Sequence, residues 1–151
     1  MHTLHIERRG TITIELPAAQ AFYYFTPEGE RGWAADWDPK PVFPSDGSLR
    51  DETVFTTAAH GEETVWMLLR HAPEAGEMTY IRLTPGSRLG VVTVKIRDVA
   101  PGRSVTEMEY RMTALTEHGQ HYLEQMSEQR FEQYMREWEA AIGKVVAEAR
   151  G

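Results

Sequence analysis

The sequence predicts an α+β fold: a curved antiparallel sheet of about six to seven strands, two short helices near its start, and a long C-terminal helix laid across the sheet, with the space between them either filled by side chains or left as a cavity. Three observations lead there. About a hundred residues show strand-like alternation broken by turns, an amphipathic pattern then runs from Glu117 to Ala149, and the separators between strands are short enough to make successive strands antiparallel neighbours. A helix of roughly thirty residues is about 45 Å long, too long to be buried end to end in a chain of this size, so it must lie across the sheet.

The first strand is marked by Ile12, Ile14 and Leu16 alternating with Thr11, Thr13 and Glu15. Pro17 suits a helix start, and the aromatic run from Ala18 to Phe25 reads as a short helix. Thr26-Pro27 reads as the cap and first-turn proline of a second, extending to about Ala34. From Asp36 to Asp51 the Pro, Asp, Gly and Ser content predicts an ordered loop with at most one short strand, anchored by Trp37, Val42 and Phe43. Five strands follow, at Thr53 to Ala59, Glu62 to His71, Met78 to Thr84, Leu89 to Val99 and Ser104 to Leu115. Turn chemistry separates them at His60-Gly61, Pro73-Glu74-Ala75-Gly76, Pro85-Gly86-Ser87 and Ala100-Pro101-Gly102.

Parity places Val92, Val94 and Ile96 on one inward set and Thr106, Met108, Tyr110 and Met112 on another. Val65 to Leu69 is apolar on both faces, so periodicity does not orient that strand. Thr116 is the expected N-cap of the terminal helix. At 100° per residue, Leu123, Ser127, Phe131, Tyr134, Trp138, Ile142 and Val145 fall on one stripe, flanked by Met135 and Val146.

Composition bounds the rest. The 151 residues suit one domain, residues 1–151, with a core of its own. With no cysteine there are no disulfides and no thiolate ligands, and the histidines are scattered through turns and termini, so no metal site is expected. His60 and His71 sit at a turn and a strand end; His118 and His121 lie three apart without an obvious third ligand. A net charge of −7 opposes attraction to nucleic acid and anionic lipid. The segment from Met1 to Arg9 has no basic start followed by an apolar stretch, and no apolar run approaches a membrane span, so no membrane insertion and a cytoplasmic location are expected. No phosphate-binding glycine pattern occurs and no cofactor is indicated. A homodimer is compatible with the sequence.

The inward residues are large and adaptable. Met108, Tyr110 and Met112 face Phe131, Tyr134, Met135 and Trp138 across the predicted interior, either as a packed core or as the wall of an apolar pocket. Tyr80, Arg82 and Thr84 share a strand face. If Arg82 points inward it needs a carboxylate, a ligand anion or water, because an unpaired buried guanidinium is costly; the alternative is a rim arginine paired with a glutamate. Glu28, Glu30, Asp36 and Asp38 are read as helix-capping, solvent-facing groups. No nucleophile elbow and no pair of acid and base carboxylates stands out, so the catalytic residues, if any, are unknown.

The segment Phe22-Tyr23-Tyr24-Phe25-Thr26-Pro27-Glu28-Gly29-Glu30, with Trp33 and Trp37-Asp38-Pro39, resembles the N-terminal part of bacterial members of the START/Bet v1-like (SRPBCC) superfamily. Glu63-Thr64-Val65-Trp66, Thr84-Pro85-Gly86-Ser87-Arg88 and Tyr110 to Leu115 resemble later segments of the same group, in the same order. The resemblance implies a helix-grip fold with an apolar cavity. It includes lipid carriers, hormone receptors and polyketide cyclases or dehydratases, so the leading expectation is binding of a small, largely apolar molecule, with a cyclase/dehydratase-like enzyme and an interaction module with a collapsed cavity as alternatives. The expected ligand-binding set is Trp66, Tyr80, Arg82, Met108, Tyr110, Met112, Phe131, Tyr134 and Trp138.

Overall fold

The computed structural model describes residues 3–150; Met1 and His2, part of the N-terminal segment read above, lie outside the described residues, as does Gly151. Seven strands form one antiparallel sheet: β1 (His5–Ile14), β2 (Lys40–Phe43), β3 (Thr53–Ala59), β4 (Glu62–Ala72), β5 (Glu77–Thr84), β6 (Arg88–Ala100) and β7 (Arg103–Ala114). Their spatial order is β1-β7-β6-β5-β4-β3-β2, so every neighbour but one is also a neighbour in sequence, as the short turns require. Between β1 and β2 stand α1 (Ala18–Ala21), a 310 turn over Phe22–Phe25 and α2 (Pro27–Glu30). After β7 come α3 (Glu117–Glu124) and α4 (Glu128–Arg150).

Inner-face parity follows the pattern of the sequence. One row across the sheet runs Leu68, Tyr80, Val92, Tyr110 and Arg8, and the next runs Trp66, Arg82, Gly90, Met112 and Ile6. On β4, Thr64, Trp66 and Leu68 are buried while Val65 and Met67 pair outward with Leu83 and Ile81, which resolves the strand that periodicity left unoriented. β1 begins at His5, well before the Ile12 that marks it in sequence, because its first half meets a partner strand through backbone hydrogen bonds whatever its side chains.

The terminal helix is not one continuous element. It breaks at residues 125–127, and the cause is local. Ser127 Oγ accepts from the Arg130 N–H at 3.1 Å and its carbonyl accepts from the Phe131 N–H at 2.9 Å, so Ser127 caps a new helix. The Met126 carbonyl, freed by the break, accepts from Arg8 Nε at 2.8 Å. A single 100° wheel therefore does not carry across from Leu123. In α4 the buried stripe is Phe131, Met135, Ile142 and Val146, with Tyr134, Trp138 and Val145 half-buried on its flank. Ser127, placed on the stripe by the wheel, is exposed.

Two glycines make the helix packing feasible. A Cβ on Gly10 of β1 would stand 2.5 Å from Met135 Cγ, so α4 can close on the strand only there. Gly119 of α3 rests on the Ser87 carbonyl, where any Cβ would overlap the oxygen. Thr116 caps α3 as expected, accepting from the Gly119 N–H at 3.1 Å and donating to the Gly86 carbonyl at 2.7 Å. Along the sheet edge, α4 also satisfies the free backbone of β1: Glu139 accepts from the Thr13 N–H at 2.7 Å and Arg136 donates to the Thr11 carbonyl. A polar-ended helix thus covers what would otherwise be an open edge.

Candidate functional site

The sheet, α2 and the loop after it enclose a small cavity beside the Tyr80–Tyr110 row. Its walls are Phe25, Glu30, Trp37, Trp66, Tyr80, Val92, Val94, Met108 and Tyr110, and its volume is about 20 Å³. That is room for one water. Larger depressions open to solvent: one is lined by charged side chains such as Arg9, Lys95, Glu107, Glu109 and Glu132, and another by Pro27, Pro41, Leu49, Val54 and Phe55 with Glu28, Arg31 and Asp46.

Glu30 is the unexpected member. Pro27 and Glu30, three apart on α2, share the face turned to the interior, while Glu28 and Arg31 on the other face make a 2.9 Å ion pair at the surface. Part of the Glu30 residue reaches solvent, but its carboxyl is enclosed, and burial holds its pKa well above the usual carboxylate range. The expectation that it faces solvent is therefore corrected. Burial also raises the Tyr80 and Tyr110 hydroxyls far above the ordinary phenol range, with the Glu30 carboxyl adding to both. The Tyr80 hydroxyl donates to the Phe25 carbonyl at 2.9 Å.

The wall nearest β3 and β4 is a cluster of rings. Trp66 stacks on Phe55 at 5.7 Å with planes 5° apart and meets Trp37 and Tyr80 edge-on at 5.5 and 6.0 Å. The Trp66 indole N–H donates to Thr57 Oγ1 at 3.0 Å, so the ring is fixed at both ends. Beyond it, Arg82 lays its guanidinium over the Trp66 ring, 4.7 Å from the centroid. Arg82 Nε is buried without a hydrogen-bond partner, and among the described residues no carboxylate stands within ion-pair distance of this side chain. Burial lowers its pKa. The arginine paired with a glutamate is a different residue, and a buried one: Arg88, one strand over, reaches Glu62 at 3.3 Å and lies over the Tyr122 ring at 3.4 Å.

Of the nine residues expected at the site, Trp66, Tyr80, Met108 and Tyr110 line the cavity and Arg82 backs onto it through Trp66. The other four stand elsewhere. Met112 belongs to a separate cluster with Ile6, Ala114 and Leu123 under α3. Phe131 packs edge-on against Tyr110 at 5.3 Å, behind the wall. Tyr134 and Trp138 stack on each other at 6.0 Å, and Trp138 reaches Trp33 at 6.0 Å. The helix contributes support to the cavity rather than wall. Glu30 and Trp37 were not among the expected residues, and no periodicity in so short a helix as α2 distinguishes an inward glutamate from a solvent-facing one.

The histidines are dispersed. His60 is exposed at the β3–β4 turn, His71 lies against the Phe22 ring at 5.7 Å, and His118 pairs with Glu62 at 3.2 Å. Among the described residues no three potential metal ligands cluster, and no helix is long and apolar enough to cross a membrane.

The architecture is a helix-grip fold in which the curved sheet is closed by the C-terminal helices. No protein-family model and no curated protein sequence matches the chain. Among solved structures, a point mutant of norcoclaurine synthase from Thalictrum flavum in complex with a transition-state analogue superposes with a TM-score of 0.68 at 11% identity, covering 100% of this chain and 99% of that one. The same plant enzyme in complex with dopamine and hydroxybenzaldehyde gives 0.67 at 12% identity, over 97% of this chain and 88% of that one. An uncharacterized protein from Rhizobium leguminosarum gives 0.63 at 14% identity, over 95% and 99%. At these identities the likeness is one of fold.

Proposed function

We propose that this chain is a small-molecule-binding protein of the helix-grip fold, one domain over residues 1–151, which admits a largely apolar ligand into the space between sheet and helices when the segment over the cavity moves. The observation that carries the reading is the set of polar groups that line a closed aromatic cavity: Glu30, Tyr80 and Tyr110 stand among Phe25, Trp37 and Trp66. A purely structural core gains nothing from an enclosed carboxyl, since burying a polar group without a compensating hydrogen bond costs stability.

A cavity that holds one water is what an interaction module with a collapsed cavity would have. Two features favour ligand entry over permanent closure. The covering segment, residues 22–39, is tied mostly to itself: the Trp33 indole donates to the Tyr24 carbonyl and the Trp37 indole to the Pro27 carbonyl, both at 2.8 Å, and Arg31 reaches Asp38 at 2.7 Å. It can therefore shift as a unit while keeping its hydrogen bonds, with the Tyr80–Phe25 bond as its buried tie to the sheet. The plant enzyme of the same fold, solved in complex with dopamine and hydroxybenzaldehyde, adds support for small aromatic ligands.

The cyclase/dehydratase-like alternative shares this site. It needs a proton donor within an apolar cavity, and a Glu30 carboxyl kept neutral by burial meets that need. The binding reading is tested with the neutral fluorescent probe N-phenyl-1-naphthylamine, which is expected to bind one to one and to quench tryptophan emission through Trp37 and Trp66. Probe uptake that is absent, or spread over many weak surface sites, would leave the collapsed module standing.

A further inference from the structure

We infer that the outer face of the sheet is the contact surface of a homodimer, in which β4, β5 and β6 of two copies pack face to face. This goes beyond the binding reading and does not depend on it, since the helices and the cavity lie on the other face.

β4 is apolar at consecutive positions from Val65 to Leu69, and the buried Trp66 and Leu68 account for one parity only. The other parity continues across its neighbours. Val54, Met67, Ile81 and Val91 are directly paired across β3, β4, β5 and β6, and beside them Val65, Leu83 and Leu89 are paired across β4, β5 and β6. The first row meets no charge before Arg111 on β7, and the second runs on to Thr113. An antiparallel sheet with one solvated face ordinarily alternates apolar residues inward with polar residues outward, and these rows break that rule. Nothing in the chain covers them. The helices bury Leu123, Phe131, Met135, Ile142 and Val146 in the two inner clusters, to which none of these outward side chains belongs, and Leu83 and Leu89 are 36% and 39% exposed. A contiguous apolar patch left open in this way marks an interaction surface.

The partner that fits is a second copy of the chain. Both edges of the sheet are closed to an added strand: β2 has four residues and contains Pro41, which lacks an N–H, while α4 takes the Thr11 carbonyl and the Thr13 N–H of β1. Association is left to the face. The rows carry no charge that would select an acidic or basic partner, whereas two copies lay the same neutral rows against each other and double every contact. A net charge of −7, with Glu7 and Glu109 at the margin of the patch, opposes an anionic lipid surface. The two-fold axis runs along β5. It lays β4 over β6 and β3 over β7, so Val54 meets the stem of Arg111 and Leu83 meets its own copy; an axis across the strands would set the two Arg111 side chains beside each other, where like charges repel. Because the outer face is convex, contact centres on five strands. At about 4.8 Å per strand and about 6.7 Å per outward position, three positions deep, that is about 24 by 20 Å, or about 480 Å² in each copy. This is below the ~800 Å² per partner of a standard interface, so the dimer dissociates on dilution.

Sedimentation velocity of the full chain from about 1 to about 500 µM tests this. The wild-type chain is expected to pass from monomer to dimer with half-dissociation at about tens of micromolar. Leu83→Glu and Leu83→Lys change an already exposed side chain on the axis, and each is expected to keep the wild-type circular dichroism and to remain monomeric throughout. Their equimolar mixture is expected to regain the dimer, because the two-fold then sets Glu against Lys. A wild-type chain that is still monomeric at about 500 µM, or a dimer that both charged variants retain, would overturn the proposal. A mixture of folded variants that stays monomeric would overturn the axis along β5. Should either variant fail to fold, Leu89→Lys on β6 is expected to abolish the dimer, and a dimer that survives it counts against this face. Wild-type chain that stays monomeric yet sediments with phosphatidylcholine vesicles would assign the face to lipid and overturn the dimer.

Discussion

Replacing Glu30 by glutamine should make the protein more stable at neutral pH and should do so increasingly as the pH rises. The carboxyl is enclosed by Phe25, Trp37, Trp66, Tyr80 and Tyr110, and burial raises its pKa well above the ordinary carboxylate value. The unfolded chain loses this proton near pH 4.5, whereas the folded chain keeps it to higher pH. Between those two values the native state binds more protons than the unfolded state, so stability falls as pH rises. The slope is about 1.4 kcal/mol per pH unit for a single group. The contribution is fully present below about pH 4.5 and is lost progressively as the pH rises through the folded-state value. Glutamine preserves the shape and hydrogen-bonding capacity of the protonated acid without the titration. The measurement is urea unfolding of both proteins at half-unit steps from pH 5 to 8, taking the difference in stability so that shared groups cancel. Asp38, whose pKa is lowered by hydrogen bonds from Arg31 and Lys40, acts in the acid range with the opposite sign and cancels in the same way. Tyr80 and Tyr110 titrate far above the interval. A flat difference across the range, or an advantage of Glu30→Gln over the wild-type chain that shrinks from pH 5 to pH 8, would refute the claim that this carboxyl is held neutral in the cavity.

Tyr80→Phe removes the hydroxyl that joins the sheet to the Phe25 carbonyl, and is expected to cost about 1–3 kcal/mol because it strands a buried acceptor; stopped-flow mixing with N-phenyl-1-naphthylamine should show faster uptake than in the wild-type chain, and a slower rate would mean that the bond does not hold the cover closed. Gly119→Ala forces a methyl group into the Ser87 carbonyl and is expected to displace α3, lowering stability by about 1–3 kcal/mol or more. An alanine there that melts at the wild-type temperature would mean that α3 sits further from the β5–β6 turn. The probe titration described above completes the set.

The sequence by itself determined the order of elements, the antiparallel neighbours and the inner faces of β6 and β7. Each of these depends on a local rule: two-residue side-chain alternation, turn residues that limit connection length, and caps such as Thr26 and Thr116 whose side chains accept from the N–H three residues on. Tyr80, Met108 and Tyr110 at the cavity were readable for the same reason, since parity assigns a face. Ser127 carried a capping signal too, but the amphipathic pattern on either side of it runs on through the break, and periodicity outweighed the cap. The tertiary structure alone decided that Arg88 takes Glu62 while Arg82 is left without a partner, because pairing depends on which strands bring which side chains together across a curved sheet. It also turned Glu30 inward, against the ordinary behaviour of a glutamate on a short helix, since the fourfold tethering of residues 22–39 fixes the rotation of α2. The distance between sheet and cover, and with it a volume of about 20 Å³, is set by the sum of many side chains from distant parts of the chain. No periodicity in one element reports that sum.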